Sequence, residues 1–259
     1  MKVVVTGGAG FLGRRICSSL VKNGHIAIPM AMEGEDATGL KDVIRGDITE
    51  PSKFEFPQCD AVIHCAGILE SSHPADELLF KVNYQGTKDV HEKALAAGSK
   101  RFIFISTISA VGPQGRKDAP ITESMTPDPA DPYGRSKLEA ERHLEKVAGS
   151  NGMVVTILRP SVLYGPGMNL TSSGMKTFTS IKKGIMPLVG NGDHIFNMLY
   201  VDNLVKAIIL SLERNGDFAL FHVSEGPYTQ KEVIKTIEIA MGIMGHRRYP
   251  KPLLYLMTL

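Results

Sequence analysis

Tyr133 and Lys137 are the residues of this 259-residue chain best spaced to do chemistry together. They lie four apart in Asp131-Pro132-Tyr133-Gly134-Arg135-Ser136-Lys137, which reads as the start of a helix running to about Val147, so their side chains share one face. A phenol ionises near pH ~10 and is a poor base at neutrality. An ammonium beside it favours the phenolate and makes it a usable proton acceptor for a substrate hydroxyl. A second hydroxyl must fix the substrate oxygen against the phenol, and Thr107 is the first candidate, with Ser106 and Ser109 as alternatives. On an ordinary helix the same spacing would be one packed aromatic and one snorkelling lysine. The surrounding elements decide between the two.

The strand Arg101 to Ile105 delivers Ser106, Thr107 and Ser109 to a sheet edge, and a loop rich in Pro, Gly and acids, 112–132, leads from there into the Tyr133 helix. At the start of the chain, Lys2 to Thr6 reads as a buried strand, Phe11 to Val21 as a helix, and Gly7, Gly8, Gly10 and Gly13 fall between or within them. This order suits a dinucleotide pyrophosphate. Gly8 and Gly10 leave room for the turn and the phosphates, and Gly13 lets the helix lie close to its strand. Hydride would then pass between a substrate carbon and a nicotinamide while Tyr133 takes or gives the proton, and Lys137 has donors to spare for the nicotinamide ribose.

Further along, His25 to Met30 reads as a second strand, weakened by Pro29 and therefore near the sheet edge. Asp47, at the end of Val43 to Asp47, either accepts from the adenine amino group or caps the turn that follows. Ala61 to Cys65 is an inner strand ending in Ala66-Gly67, small residues that let backbone approach the ribose and phosphate on the nicotinamide side. His64 is expected to pack or hydrogen-bond at that strand end. Leu78 to Ala97 has a long helical pattern in which Leu79, Val82, Val90 and Leu95 face the sheet. Asn83, within it, is either an exposed surface residue or a buried one that holds a water beside the lysine.

Composition adds limits. The formal net charge is +2, aromatics make up 7%, and the basic pairs are short and scattered, so no nucleic-acid surface is expected. Cys17, Cys59 and Cys65 have no close metal-ligand spacing and read as reduced thiols of a cytoplasmic protein. The first strand begins at residue 2, which makes secretion or membrane association an unfavoured expectation. Tyr249 to Leu259 is apolar and too short to span a bilayer. It reads as a docking segment, an interfacial anchor or the point where a longer chain was cut.

The segments Thr6-Gly7-Gly8-Ala9-Gly10-Phe11-Leu12-Gly13, Gly46-Asp47, His64-Cys65-Ala66-Gly67, Val82-Asn83-Tyr84-Gln85-Gly86-Thr87, Ser106-Thr107, Tyr133-Gly134-Arg135-Ser136-Lys137, Leu158-Arg159-Pro160 and Tyr164-Gly165-Pro166-Gly167 occur in that order. With them the chain resembles the extended short-chain dehydrogenase/reductase family, which includes the NAD-dependent epimerases and dehydratases. The resemblance implies an α/β Rossmann-like, doubly wound and mostly parallel sheet with a small C-terminal substrate-binding lobe. It implies a catalytic trio Thr107, Tyr133 and Lys137 supported by Asn83. It also implies cofactor contacts from Gly7, Gly8, Gly10, Phe11, Leu12, Gly13, Asp47, Ile48, Cys65, Ala66, Gly67, Pro160 and Val162, with Tyr133 and Lys137 reaching the cofactor too. A homodimer through helices flanking the Tyr133 helix follows from the same resemblance.

Two positions depart from the pattern. Relatives that keep an aspartate at the end of the second strand use it on the NAD ribose, whereas Ala31 stands there, leaving Glu33 or Glu35 as stand-ins. The cofactor is therefore NAD or NADP. Phe196 stands where relatives that handle nucleotide sugars carry a diphosphate-gripping arginine, and with Thr107, Ser109 and Tyr133 it makes up the candidate substrate site. The expected organisation is a dinucleotide-binding core over 1–160 and a lobe over 161–259 whose segments partly return to the core. The expected function is an NAD(P)-dependent oxidoreductase acting on a secondary alcohol or ketone. The alternatives are an epimerase or dehydratase of a sugar or sugar nucleotide that uses transient oxidation, and a nucleotide-binding sensor or assembly protein without turnover.

Overall fold

The computed structural model describes residues 1–69, 75–114, 120–149, 151–170, 172–243 and 248–249. Through the first half the chain runs β1 (Lys2–Thr6), α1 (Phe11–Lys22), β2 (Ile26–Ala31), β3 (Ile44–Arg45), β4 (Ala61–His64), α2 (Asp76–Leu79), a π-helical turn (Phe80–Gln85), α3 (Gly86–Ala96) and β5 (Arg101–Ile105). Then follow α4 (Pro132–Val147), β6 (Val154–Pro160), β7 (Val162–Tyr164), α5 (Ser173–Lys182), β8 (Leu188–Val189), β9 (Met198–Tyr200), α6 (Val201–Ser211), β10 (Phe218–Val223), α7 (Gln230–Met241) and β11 (Arg248–Tyr249). Seven strands form one sheet in the order β10-β6-β5-β4-β1-β2-β3, and every neighbouring pair is parallel. The chain steps outward from β1 to β3, then crosses to β4 on the other side, which is the doubly wound order.

Strand residues alternate between two cores, as a sheet buried on both faces requires. Val4, Val62, Phe102, Phe104, Val155 and Ile157 pack with Val90 and Ala94 of α3 and Ala140 and Leu144 of α4. Val3, Val5, Ile63, Ile103 and Leu158 pack with Ile16 and Leu20 of α1 and Leu204 and Ile208 of α6. Burying side chains of this size contributes roughly 1.5–3 kcal/mol each, so the sheet is held from both sides.

Several boundaries differ from expectation. β2 is shifted one residue, and at Pro29 it has a strand partner only in β1, because β3 pairs with Met30 and Ala31 alone. The missing N–H is tolerated there. The long helical pattern from Leu78 is broken by the π-helical turn, and Asn83 within that turn is buried, not exposed. β10 joins the main sheet through β6. The β7–β9 ribbon, through Leu163 and Leu199, packs with α6 on the main core, while β8 pairs with β11 and Ile181, Leu188, Ile234 and Ile237 form the core of a smaller unit. The expected capping box closes α7. Thr229 Oγ1 accepts from Glu232 N at 3.3 Å, and the Glu232 carboxylate accepts from Thr229 N at 2.7 Å.

The three cysteines are free thiols. Among the described residues no helix is long and apolar enough to cross a membrane. Of the apolar segment from Tyr249, residues 250–259 lie outside the described residues.

Candidate active site

In-register pairing brings the strand ends to one edge, with Thr6 opposite Met30 and His64, and Ile105 opposite Leu158. A cavity of about 290 Å³ opens there, at the crossover between β1 and β4 where such folds bind ligands. Gly7, Gly10, Asp47, Ile48, Cys65, Ala66 and Gly67 line it, together with Met30, Ala31, Met32, Glu35 and Val82. Gly7 has φ +67°, and a Cβ on it would come within 3.0 Å of the Ala66 backbone. A Cβ on Gly13 would stand 2.1 Å from the Gly7 carbonyl oxygen, so Gly13 seats α1 against the glycine turn itself as well as toward its strand.

The first turn of α1 has no side-chain cap and no acidic residue. Its N–H groups are open to an anion, and Gly7 and Gly10 line the cavity beside them without a side chain in the way, so these residues fit a dinucleotide pyrophosphate. Phe11 and Leu12 sit half-buried in that turn, with the Arg15 guanidinium 5.7 Å from the Phe11 ring centroid. Pro160 is buried at the end of β6 and Val162 opens β7; neither belongs to the cavity lining.

Of the two readings of Asp47, the turn cap is the one the structure holds. Its Oδ1 accepts from Thr49 N (2.8 Å) and Thr49 Oγ1 (2.9 Å), which caps the turn, and the residue also lines the cavity. Of the two stand-in acids, Glu33 is exposed, while Glu35 lines the cavity and accepts from Met32 N at 2.8 Å. The loop carrying them is strapped down by two arginines. Arg14 donates to the carbonyls of Ala9 and Thr38 at 2.9 Å each, and to that of Asp36. Arg45 donates to those of Met32 (2.8 Å) and Glu35 (3.0 Å).

Asp131 caps α4 by accepting from Gly134 N at 2.6 Å, and Pro132 occupies the first turn, where its missing N–H costs nothing. This fixes Tyr133 in the opening turn, with its phenol beside the Thr107 side chain. Thr107 Oγ1 also accepts from Ser109 N at 3.2 Å. Ser106 is engaged elsewhere, donating to the Glu141 carboxylate. Of the three hydroxyl candidates, Thr107 is therefore the one brought to the phenol.

Lys137 is buried. Its Nζ donates to the Ile105 carbonyl at 2.7 Å and stands 4.1 Å from the Phe104 ring centroid. Burial pulls its pKa down to about 7, against the opposing pull of Glu141 and Cys65. Tyr133 moves opposite to expectation. Burial pushes it up to about 12, the neighbouring Thr107 hydroxyl counters this and Asp131 reinforces it. Desolvation of a phenolate thus outweighs the help expected from the ammonium, which is committed to Ile105 and Phe104.

Sequence reasoning missed the group behind this pair. Glu141, one helical turn beyond Lys137, is buried and accepts from Arg159 Nε at 3.0 and 3.1 Å and from Nη2 at 2.5 Å, while Arg159 Nη1 lies 3.3 Å from His222 Nε2. The i, i+4 spacing of Lys137 and Glu141 was the available signal.

In the smaller unit, Phe196 is half-buried and its backbone N donates to the Tyr228 carbonyl at 2.8 Å. Residues 161–212 contain no arginine, and Lys182 and His194 are exposed. Met198 is buried, Met168, Met175 and Met186 are half-buried, and Met186 packs on the Ile181 core.

Comparison with known proteins follows the same outline. Residues 3–221 match the model of the NAD dependent epimerase/dehydratase family. UDP-glucose 4-epimerase of Vibrio cholerae is 31% identical over 252 residues, covering 92% of this chain and 75% of that protein. A 3β-hydroxysteroid dehydrogenase/Δ5→4-isomerase of Mycobacterium tuberculosis is 32% identical over 226 residues, covering 81% of this chain and 60% of that one. Among solved structures, UDP-glucose 4-epimerase of Thermotoga maritima with UDP-glucose superposes with a TM-score of 0.81 at 26% identity, covering 96% of this chain and 86% of that chain. With its parallel sheet, glycine cradle and Thr107, Tyr133 and Lys137 at one edge, this chain is an enzyme that belongs to the NAD dependent epimerase/dehydratase family.

Proposed function

We propose that the protein is an NAD-dependent epimerase or dehydratase that transiently oxidises a secondary alcohol of a sugar or sugar nucleotide. The observation that carries this reading is the meeting of Thr107 and Tyr133 beside buried Lys137, on the sheet edge that also holds the glycine cradle. NAD supplies, when bound, a reversible hydride acceptor. Thr107 orients the substrate oxygen, and Tyr133 takes the hydroxyl proton as the carbonyl forms and returns it when the alcohol is restored. Lys137, buried beneath that edge, has Nζ donors left over from the Ile105 carbonyl for the nicotinamide ribose. Glu35, at the adenosine end of the cavity, supports NAD over NADP, because its carboxylate would repel a 2′-phosphate.

One observation favours a second reading, net oxidoreduction of an apolar alcohol or ketone. Phe196 stands where the resemblance implies a diphosphate-gripping arginine, and 161–212 offers no arginine to replace it. The two readings separate in one assay. Purified protein with NAD is incubated with UDP-glucose, UDP-glucuronic acid, neutral sugars and steroid alcohols, following the reduced-nicotinamide absorbance and the products together. Product without lasting absorbance change is expected. Steady accumulation of reduced nicotinamide with an apolar alcohol would replace the first reading by the second, and a gain of UDP-sugar turnover in Phe196→Arg would identify the residue responsible.

A further inference from the structure

Five polar side chains that the proposed chemistry does not use directly lie in the core as one connected set: Thr6, His64, Thr87, Asn83 and Ser136 are each no more than 1% exposed. The direction of every hydrogen bond among them can be assigned. Thr87 Oγ1 donates its only proton to the Asn83 carbonyl at 2.6 Å, so at 3.0 Å it accepts from His64 Nε2–H. His64 is neutral, its pKa pulled down to about 3 by burial and by the Lys137 charge. Nδ1 therefore carries no proton and accepts from Thr6 Oγ1–H at 2.7 Å. That leaves the Thr6 oxygen free to accept from Ala66 N at 3.3 Å.

The other arm starts at Asn83. Its Nδ2 donates to the Ile68 carbonyl and to Ser136 Oγ, both at 3.1 Å, and its Oδ1 accepts from Ile68 N at 3.0 Å. Ser136 Oγ passes its proton to the Tyr133 carbonyl at 2.8 Å. A Cβ on Gly67 would stand 2.9 Å from Asn83 Oδ1, which explains a glycine there without reference to a ligand. The segment Ala66–Ile68 forms part of the cavity wall. It is thus held at one end by Thr6 and at the other by Asn83, and His64 and Thr87 close the circuit between them.

We propose that His64 is a positioning residue. Through this one-directional relay it ties the wall of the cofactor cavity to the backbone of Tyr133, so that seating the dinucleotide sets the catalytic helix. Only one tautomer satisfies both ends, and a buried relay with every member satisfied is rigid, whereas one with a missing partner is costly. The inference rests on the cofactor reading proposed above.

Two comparisons test it. Thr87→Val keeps the shape but removes the hydroxyl, and Thr87→Ser keeps the hydroxyl but removes the methyl. The relay predicts that Thr87→Val lowers kcat about tenfold with substrate KM little changed, and that Thr87→Ser restores kcat. Equal kcat in the two, or a defect that follows the missing methyl, would overturn it. Thr6→Val and Ser136→Ala lie at opposite ends and share no hydrogen bond, so independent sites would give additive effects on NAD affinity. The relay predicts a double variant whose affinity departs from the product of the single effects by about threefold or more, and strict additivity in folded proteins would overturn it. NAD affinity is read by direct titration, so an enzyme that binds NAD without turning over any substrate would end the proposed function while leaving this second comparison decisive.

Discussion

The half around the glycine turn and the smaller C-terminal unit of this chain are built to different standards. Around the cofactor cavity, positions are fixed by several constraints at once: glycine cradles that admit no Cβ, two arginine straps on one loop, and the closed relay under Ala66–Ile68. The smaller unit rests on the two-stranded β8–β11 ribbon and a core of four buried side chains. Its large apolar residues Leu170, Ile185 and Val189 are 79%, 59% and 41% exposed, a surface that is only lightly packed. The geometry proposed for hydride and proton transfer is held rigidly, while the smaller unit, proposed to bind the substrate, can change at little cost to the fold.

Breaking the rigid half should cost far more than editing its rim. Glu141→Gln leaves Arg159 buried beside a neutral partner and is expected to destabilise the protein by about 3–5 kcal/mol in denaturant unfolding. A loss below about 1 kcal/mol would mean that the pair is dispensable. Acid should act on the same half. His64 and His91 are held neutral by burial, with pKa values near 3 and 4 against about 6.5 in an unfolded chain. Between those values the unfolded state binds more protons, so stability present above pH ~6.5 falls as pH is lowered, by about 1.4 kcal/mol per unit for each histidine. Flat stability from pH 7 to pH 5 would contradict the buried assignment. At the rim, Glu35→Gln should leave the fold intact and narrow the preference for NAD over NADP by on the order of tenfold, read by titrating both cofactors. An unchanged ratio would remove Glu35 from cofactor selection.

The same division explains what the sequence reveals. The strand from Arg101 to Ile105, the start of α4 at Pro132 and the capping box at Thr229 are local features, and short spacings identify them. The parallel sheet follows from apolar runs alternating with helical patterns. Whether Asn83 is buried, where Lys137 points and which way the Tyr133 pKa moves depend on contacts across tens of residues. Asn83 meets Ser136 across 53 positions, Lys137 meets Ile105 across 32, and Arg159 meets Glu141 across 18. Periodicity cannot encode those encounters, because helix packing on the sheet decides them. The π-helical turn that buries Asn83 leaves no mark in the residue pattern.

The measurement closest to the central claim compares Tyr133→Phe with the unaltered protein, reading turnover and NAD affinity on the same samples. Tyr133 as the acid/base predicts turnover lower by about 10²–10⁴-fold with NAD affinity within about twofold, since the phenol acts on the proton in flight. Turnover within a factor of a few of the unaltered protein would contradict the account and move the proton transfer to another group.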